Sequence, residues 1–188
     1  MYLKRFIALF LTVAMLFSMT ALFVQAADSE EGALKDISIY NSGESLSCLA
    51  VSGRVQTLNY VYYKFEDRHG QIKEIPTYCV NPTTDGVPQK VKPGESIDYI
   101  IGKRASDPKI MGIVANGYPT KGLGELGLKD KYEGYYATKI ALWCHIIPEW
   151  SITQVSINPS LSGAQRTQAE RVLAAAKKIH QYGMYWTE

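Results

Sequence analysis

The sequence predicts an α+β fold with a β-rich N-terminal half, arranged as a sandwich or barrel-like sheet, and a helical C-terminal part. Residues 46–101 are rich in β-branched and aromatic side chains and alternate between apolar and polar positions, as strands do. Residues 108–182 instead repeat apolar side chains at helical spacing. Because the strands come first and the helices second, the pattern favours α+β over an alternating α/β arrangement.

Residues 1–26 have the pattern of a secretory signal peptide. Lys4 and Arg5 precede an apolar run, residues 6–24, and Val24-Gln25-Ala26 provides the small side chains of a cleavage site. If it is not cleaved, a run of this length can also cross a membrane. In both cases we expect the folded part to be extracellular, secreted or at the cell surface, with no membrane contact beyond this segment.

Charge and composition exclude two classes of protein. The chain has 20 Lys and Arg and 18 Asp and Glu, and two of the basic residues, Lys4 and Arg5, lie in the signal peptide. The mature chain is therefore neutral, which argues against a nucleic-acid partner because such binding requires a basic face. Charged residues at 20% and apolar residues at 46% are typical of a folded domain and not of a disordered one.

Residues 27–45 are expected to form a flexible N-terminal segment, because they begin with small and polar side chains. Within this segment, residues 36–40 alternate as a short strand does. Asn41-Ser42-Gly43 then has the composition of a turn. The folded domain is accordingly expected to span residues 46–188 and to begin with a separate strand at residues 46–51.

A long hairpin is predicted next. Residues 55–65 give the strongest strand signal, and residues 71–80 are expected to return beside them. Pro76 interrupts the returning strand, which places that strand at an edge or at a bulge. Residues 81–94 contain three prolines and are predicted to be a loop, and residues 96–101 form a further predicted strand.

The first predicted helix covers residues 108–116. Asp107 is a good N-cap and is followed by proline at the first helical position, and Asn116-Gly117 is expected to end the helix in a left-handed turn. The glycine-rich residues 122–127 are predicted to be a flexible loop.

Two longer helices are predicted over residues 131–146 and 163–182, each with a capping-box signal at its start. Gly183 is expected to end the second of them, and a short strand is predicted between the two at residues 152–157. One apolar stripe of the first is expected to pack inward against the β part; it includes Tyr136, Ile140 and Trp143.

Three cysteines, an odd number for a secreted chain, leave at least one thiol outside any disulfide. Cys48 could pair with either Cys79 or Cys144. Cys79 is the strongest candidate for a reactive group because it ends a predicted strand and precedes a loop. With His145 as base it would be the nucleophile of a thiol hydrolase, although the local signatures of caspases and papain-like enzymes are absent.

No metal and no cofactor is expected. The cysteines and histidines lack the paired spacings that are typical of a zinc site. The sequence also contains no phosphate loop, no dinucleotide-binding glycine pattern and no Gly-x-Ser-x-Gly elbow.

Three short segments carry a family resemblance. Residues 78–82 read Tyr-Cys-Val-Asn-Pro, residues 113–119 read Ile-Val-Ala-Asn-Gly-Tyr-Pro, and residues 137–143 read Ala-Thr-Lys-Ile-Ala-Leu-Trp. In this order they resemble the bacterial thioester domain family, the Cys-Gln thioester-forming surface adhesins of Gram-positive bacteria. The resemblance covers residues 46–182. The third segment is the most specific, since the family pattern there is Ala-Thr-Gln-x-Ala-Ile/Leu-Trp.

The resemblance implies a thioester site. In the family a cysteine thiolate attacks a glutamine carboxamide and ammonia leaves, so that an internal thioester remains for capture of an amine or hydroxyl on a target surface. The resemblance assigns Cys79 to the thiol position and Lys139 to the glutamine position. The residues that flank these positions in the matching segments are Tyr78, Thr138, Ala141, Trp143, Asn116 and Gly117.

Lys139 is the main departure from the family pattern, because lysine has no carbonyl carbon for a thiolate to attack. One reading is a degenerate domain that keeps the fold and lacks the bond. A second is a contact between Cys79 and Lys139, in which the ammonium lowers the thiol pKa or an oxidised covalent bridge forms. In a third, another carboxamide replaces the glutamine: Asn81, Gln89 or Asn116.

The resemblance therefore implies a secreted or cell-surface adhesion module that is not an enzyme. Its expected partner is a protein or glycan on the surface of a host or of a neighbouring cell. Two other functions remain open at this point: a secreted thiol hydrolase that uses Cys79, and a structural pilus or stalk module.

Overall fold

A computed structural model describes residues 39–80, 90–91 and 107–186. The predicted signal peptide and the strand predicted at residues 96–101 lie outside these ranges. The strands are β1 (Ile39–Val51), β2 (Arg54–Glu66), β3 (Ile72–Pro76), β4 (Lys90–Val91) and β5 (Val155–Ile157). The α-helices are α1 (Pro108–Asn116), α2 (Leu123–Leu126), α3 (Lys131–Ile146) and α4 (Gly163–Met184), and a 3-10 turn covers Ile152–Gln154.

The described strands form one antiparallel sheet, and the helices follow it in the chain, which confirms the α+β prediction. The strand order is β3-β2-β1-β4, with β5 also paired to β1. β1 and β2 are joined by a tight turn at Ser52-Gly53, where both residues have positive φ, as the right-handed twist of a two-residue hairpin requires. The sheet thus presents β1 and β2 to the helices.

The first strand is longer than predicted, and the turn predicted at Asn41-Ser42-Gly43 was wrong. Ile39–Val51 is a single strand, and these residues form an irregularity in its pairing with β2 between Asn41 and Ser45. Gly43 has a φ of 79°, and its N–H donates to Asn41 Oδ1 at 3.0 Å, so the chain bulges and then continues. Residues 39–45 consequently belong to the sheet and not to a flexible segment.

The hairpin of β2 and β3 is confirmed, and β3 lies at the edge of the sheet, where Pro76 costs no ladder hydrogen bond. The strand ends at Pro76 and does not reach residue 80 as predicted. The reason is that the next residues turn towards the helices, where Trp143 Nε1 donates to Cys79 O at 2.9 Å. The predicted loop at residues 81–94 needs one correction, since Lys90–Val91 pairs with β1.

The predicted helices at residues 108–116 and 131–146 are confirmed. Asp107 and Asp130 cap them as expected, each accepting hydrogen bonds from backbone N–H groups of the first turn. The last helix, α4, does not end at Gly183 as predicted but runs through it to Met184, and Gly183 lies in close contact with Ile113 of α1. The glycine-rich loop contains a short helix, α2, whose last residue is followed by left-handed Gly127.

The core lies between the sheet and the helices. Tyr136 and Ile140 of α3 are buried as predicted, and Trp143 is half-buried against the same cluster. The Tyr136 hydroxyl accepts from Leu49 N at 3.1 Å and donates to Gln56 O at 2.7 Å, so one side chain ties α3 to two strands. This contact fixes the height of α3 over the sheet and with it the position of the side chains described below.

The crossing of α1 and α4 yields a stability prediction. A Cβ on Gly183 would lie 2.6 Å from Ile113 Cα and 2.7 Å from Ile113 N, which are backbone atoms that cannot rotate away. We expect Gly183→Ala to lower the free energy of unfolding by about 2 kcal/mol, the usual range for overpacking. Urea denaturation measures the change. Gly124→Ala is the matched control, because its Cβ would meet nothing within 4 Å, and an equal loss in both variants would contradict the prediction.

Candidate functional site

The three motif segments meet at α3. Thr138 Oγ1 accepts from Tyr118 N at 2.9 Å and donates to Gly134 O at 2.8 Å, so it joins the segment after α1 to the helix. Tyr78, which precedes Cys79, donates from its hydroxyl to Tyr118 O. Residues that are far apart in sequence are thereby held around the first two turns of α3.

A glycine is required at position 117 because the chain passes very close to Thr138 here, and not because of a left-handed turn. Its φ of −103° and ψ of −179° are extended, which corrects the expectation for the end of α1. A Cβ at this position would lie 2.4 Å from Thr138 Cγ2 and 2.8 Å from Thr138 Oγ1. Asn116 ends the helix instead by donating from Nδ2 to Gly112 O at 2.8 Å. Asn116 therefore uses its carboxamide in its own helix, and Asn81 and Gln89 lie outside the described residues.

Cys79 is half-buried beside the middle of α3. Its carbonyl oxygen accepts from Trp143 Nε1 at 2.9 Å, so a side chain of α3 positions the backbone that carries the thiol. Ala141 is fully buried and lets the helix approach the core closely. None of the three cysteines forms a disulfide, so neither of the two predicted pairings is formed.

Lys139 has the most unusual environment of the site, because its side chain is only 7% exposed. The ammonium lies over two aromatic rings, 5.3 Å from the Tyr135 centroid and 4.9 Å from the Trp143 centroid, and Nζ donates to Tyr135 Oη at 3.2 Å. Burial lowers the pKa of Lys139 to about 8, while the Cys79 thiolate acts in the opposite direction. Cation–π contact and one hydrogen bond thus compensate only part of the lost hydration.

Tyr135 is a site residue that the sequence reasoning missed. It is 1% exposed, it donates to Thr77 O at 3.2 Å, and its ring stacks on Tyr78 with centroids 5.0 Å apart. Burial raises its pKa, and the Cys79 thiolate adds to this effect. Its position four residues before Lys139 on one helix face was the signal that could have found it.

The other candidate reactive groups are Cys48, Cys144 and His145, and their contacts indicate structural roles. Burial raises the pKa of the Cys48 and Cys144 thiols to about 12, so both are protonated at neutral pH. His145 Nε2 lies 2.9 Å from Asp107 Oδ2, the residue that caps α1. Among residues 39–80, 90–91 and 107–186, no group of three or more His, Cys, Asp or Glu side chains is arranged to hold a metal ion.

Comparison with known protein families shows to which family the chain belongs. A family model described as a thioester domain matches residues 76–183, which include Cys79, Lys139 and all three motif segments. The chain belongs to the thioester domain family. The comparison with curated proteins yields no match.

Two solved structures share the fold of this thioester domain. One is the thioester domain of the Enterococcus faecium TIE86 protein, at 19% identity and a TM-score of 0.55 over 81% of this chain. The other is the Bacillus anthracis TIE protein, at 20% identity and the same TM-score and coverage. The matched region spans 52% of the first protein's chain and 25% of the second's. In the part of this thioester domain that the structure describes, no helix has the length and apolarity needed to cross a membrane.

Proposed function

We propose that this thioester domain is a secreted or cell-surface adhesion module that lacks the internal Cys-Gln thioester. It binds a protein or glycan on the surface of a host or of a neighbouring cell through noncovalent contacts. The observation that carries the proposal is the buried Lys139 side chain, which occupies the position of the acyl donor between Tyr135 and Trp143. It is not proposed to be an enzyme.

The chemistry at residue 139 supports the missing bond. A thioester forms when a thiolate attacks an acyl carbon and expels a leaving group. The lysine side chain consists of four methylenes and an amine, so it has no acyl carbon that the Cys79 thiol could attack.

Family membership supports the adhesion role and the extracellular location. One of the two structural relatives is named as a thioester domain and the other as a TIE protein, and this chain spans about half of the first and a quarter of the second. Adhesion by the whole protein is therefore inferred from the family and not from the fold alone.

A thiol hydrolase is less well supported. His145 was its expected base, and Nε2 of that imidazole is engaged by Asp107. Cys79 acts electrostatically on Tyr135 and Lys139, and neither of these side chains is an imidazole. The contact between His145 and Asp107 therefore gives no support to the thiol–imidazole pair that a hydrolase needs.

Mass spectrometry tests the missing thioester directly. The mature wild-type chain is expected to show its full mass, whereas a Cys-Gln thioester would remove about 17 Da as ammonia. Lys139→Gln supplies the missing acyl carbon in a helix that is otherwise intact. We expect this variant to lose that mass and to take up methylamine.

Cys79→Ala in the Lys139→Gln background is the control, because it removes the attacking thiol and must restore the full mass. Lys139→Met tests whether a neutral side chain alone is enough, and it is expected to keep the full mass. The proposal is overturned if the wild-type chain itself shows the ammonia loss or reacts with methylamine.

A further inference from the structure

An amine and a thiol lie at one site, between α3 and the segment that follows β3. The Trp143 side chain connects them: Nε1 donates to Cys79 O at 2.9 Å, and the same ring lies 4.9 Å below Lys139 Nζ. The Cys79 thiolate also acts on the pKa of both Lys139 and Tyr135, so its charge lies within electrostatic reach of both side chains.

We propose that this site captures acyl thioesters, with Cys79 accepting the acyl group and passing it to Lys139, where it remains as an amide. The site would thus act as the acceptor of an activated acyl group and not as its donor. This inference rests on the proposed absence of an internal thioester, since Cys79 must carry a thiol.

Exposure sets the order of the two steps. Cys79 is half-buried, whereas Lys139 is 7% exposed, so an incoming acyl group meets the thiol first. The Cys79 thiolate attacks the carbonyl carbon of R–CO–S–R′, the bond from that carbon to the R′ sulfur breaks, and R′–SH leaves after it takes a proton. This thiol exchange leaves the acyl group on Cys79 as a new thioester.

The second step moves the acyl group to nitrogen. The neutral Lys139 amine attacks the carbonyl carbon, the C–S bond to Cys79 breaks, and the thiolate recovers a proton. Over both steps, R–CO–S–R′ and the Lys139 ammonium give an amide, R′–SH and one proton, with no oxidant or reductant. Because Trp143 contacts both the backbone of Cys79 and the Lys139 amine, transfer is intramolecular and gains the rate advantage of a fixed geometry.

The surroundings of Lys139 favour its neutral form above pH 8. The titratable groups that face it are Cys79 from the segment after β3 and Tyr135 from its own helix, and the rings of Tyr60 and Tyr78 pack in turn against Tyr135. None of these is a carboxylate, so burial is opposed only by the Cys79 thiolate. Acylation of that thiolate removes its charge and further favours the nucleophilic amine.

Phenyl thioacetate is a suitable probe, because it delivers an acetyl group of about 42 Da to a thiol and then to an amine. We expect the wild-type chain to gain one acetyl group on Lys139 that survives hydroxylamine, and peptide mapping locates it. Lys131 on the same helix has a 38% exposed side chain and serves as the internal control. Acetylation of Lys139 is expected to be on the order of 100-fold faster than that of Lys131.

Two further samples separate the steps. Alkylation of the wild-type chain with iodoacetamide before the probe is expected to abolish Lys139 acetylation without any change of sequence, because Cys48 and Cys144 are buried thiols with raised pKa values. Lys139→Met is expected to retain an acetyl group on Cys79 that hydroxylamine removes. Circular dichroism of this variant checks that it is folded.

The outcomes distinguish this inference from the proposed function. A full-mass wild-type chain whose adduct stays labile to hydroxylamine, or that gains no adduct, overturns acyl transfer and leaves the missing thioester intact. Acetylation of Lys139 that persists after alkylation overturns the role of Cys79. An ammonia loss in the untreated chain overturns both proposals, because Cys79 would already carry an acyl group.

Discussion

Glu133→Ala is expected to lower the free energy of unfolding by about 3–5 kcal/mol, the cost of leaving one member of a buried ion pair without its partner. Glu133 is fully buried in the first turn of α3. Arg171 of α4 donates to both carboxylate oxygens, from Nε to Oε2 at 2.8 Å and from Nη2 to Oε1. Removal of the carboxylate leaves the Arg171 guanidinium, which is 22% exposed, without its buried partner.

Two more donors complete the hydrogen bonds of the Glu133 carboxylate. Gln168 Nε2 reaches Oε1 at 3.0 Å, and Lys129 N reaches Oε2 at 3.0 Å. Burial alone would raise the pKa of Glu133, but the hydrogen bonds from Arg171, Lys129 and Gln168 hold it below its usual value. All these contacts are lost together in the variant, and the loss is measured by urea denaturation at neutral pH.

Glu170→Ala is the matched control, since that carboxylate on α4 is 56% exposed and faces Arg166 at 3.5 Å. Surface pairs of this kind contribute less than about 1 kcal/mol. The double variant Glu133→Leu with Arg171→Met should recover much of the lost stability, because it leaves no charge buried. Similar losses in Glu133→Ala and Glu170→Ala would show that the buried pair does not join α3 to α4.

Glu133 also shows where local sequence reasoning fails. The sequence predicted a capping box with Asp130, and Asp130 does cap α3. Glu133 instead pairs with a residue 38 positions later, and no local pattern specifies such a partner. The caps and apolar spacings of α1 and α3 are short-range signals, which is why their bounds were predictable.

The sheet was less predictable for the same physical reason. β1 passes through Asn41-Ser42-Gly43 because pairing with β2 on either side outweighs the local preference for a turn. The two residues of β4 form a strand only by pairing with Ile39 and Tyr40. In both cases partners far along the chain decide the conformation, and propensity over a few residues does not include them.

The candidate site was also predictable only in part, for the same reason. The family resemblance supplied Cys79 and position 139, because those positions lie in short contiguous motifs. It did not supply Tyr135, whose hydroxyl receives the Lys139 hydrogen bond, or the role of Gly117 in the approach to Thr138. These contacts depend on how α3 sits against the preceding segments, which the motifs do not encode.

Lys139→Met is expected to stabilise the protein at pH 7 by about 2–3 kcal/mol, because it replaces a buried ammonium with an apolar side chain of similar length. The ordinary lysine pKa of 10.5 applies to the unfolded chain, whereas burial lowers the pKa of Lys139 in the folded protein to about 8. Between these values the unfolded chain binds a proton that the folded chain does not. The free energy of unfolding of the wild-type chain therefore rises with pH across this window.

The difference in the free energy of unfolding between the wild-type chain and Lys139→Met should accordingly shrink as the pH rises from 8 to 10.5. Towards the upper end of this window Lys139 becomes neutral in both the folded and the unfolded chain, and its burial no longer opposes folding. Urea denaturation of both chains across that window measures it, and the tyrosines and thiols that they share cancel in the comparison. Lys131→Met is the matched control on the same helix, because the hydrogen bond that Lys131 donates to Glu74 raises the pKa of Lys131. Its contribution is therefore lost and not gained as the pH rises, and it is small because the side chain is 38% exposed. Parallel pH profiles for the wild-type chain and Lys139→Met would mean that the amine of Lys139 remains hydrated, and the neutral nucleophile that acyl transfer requires would then not form near pH 8.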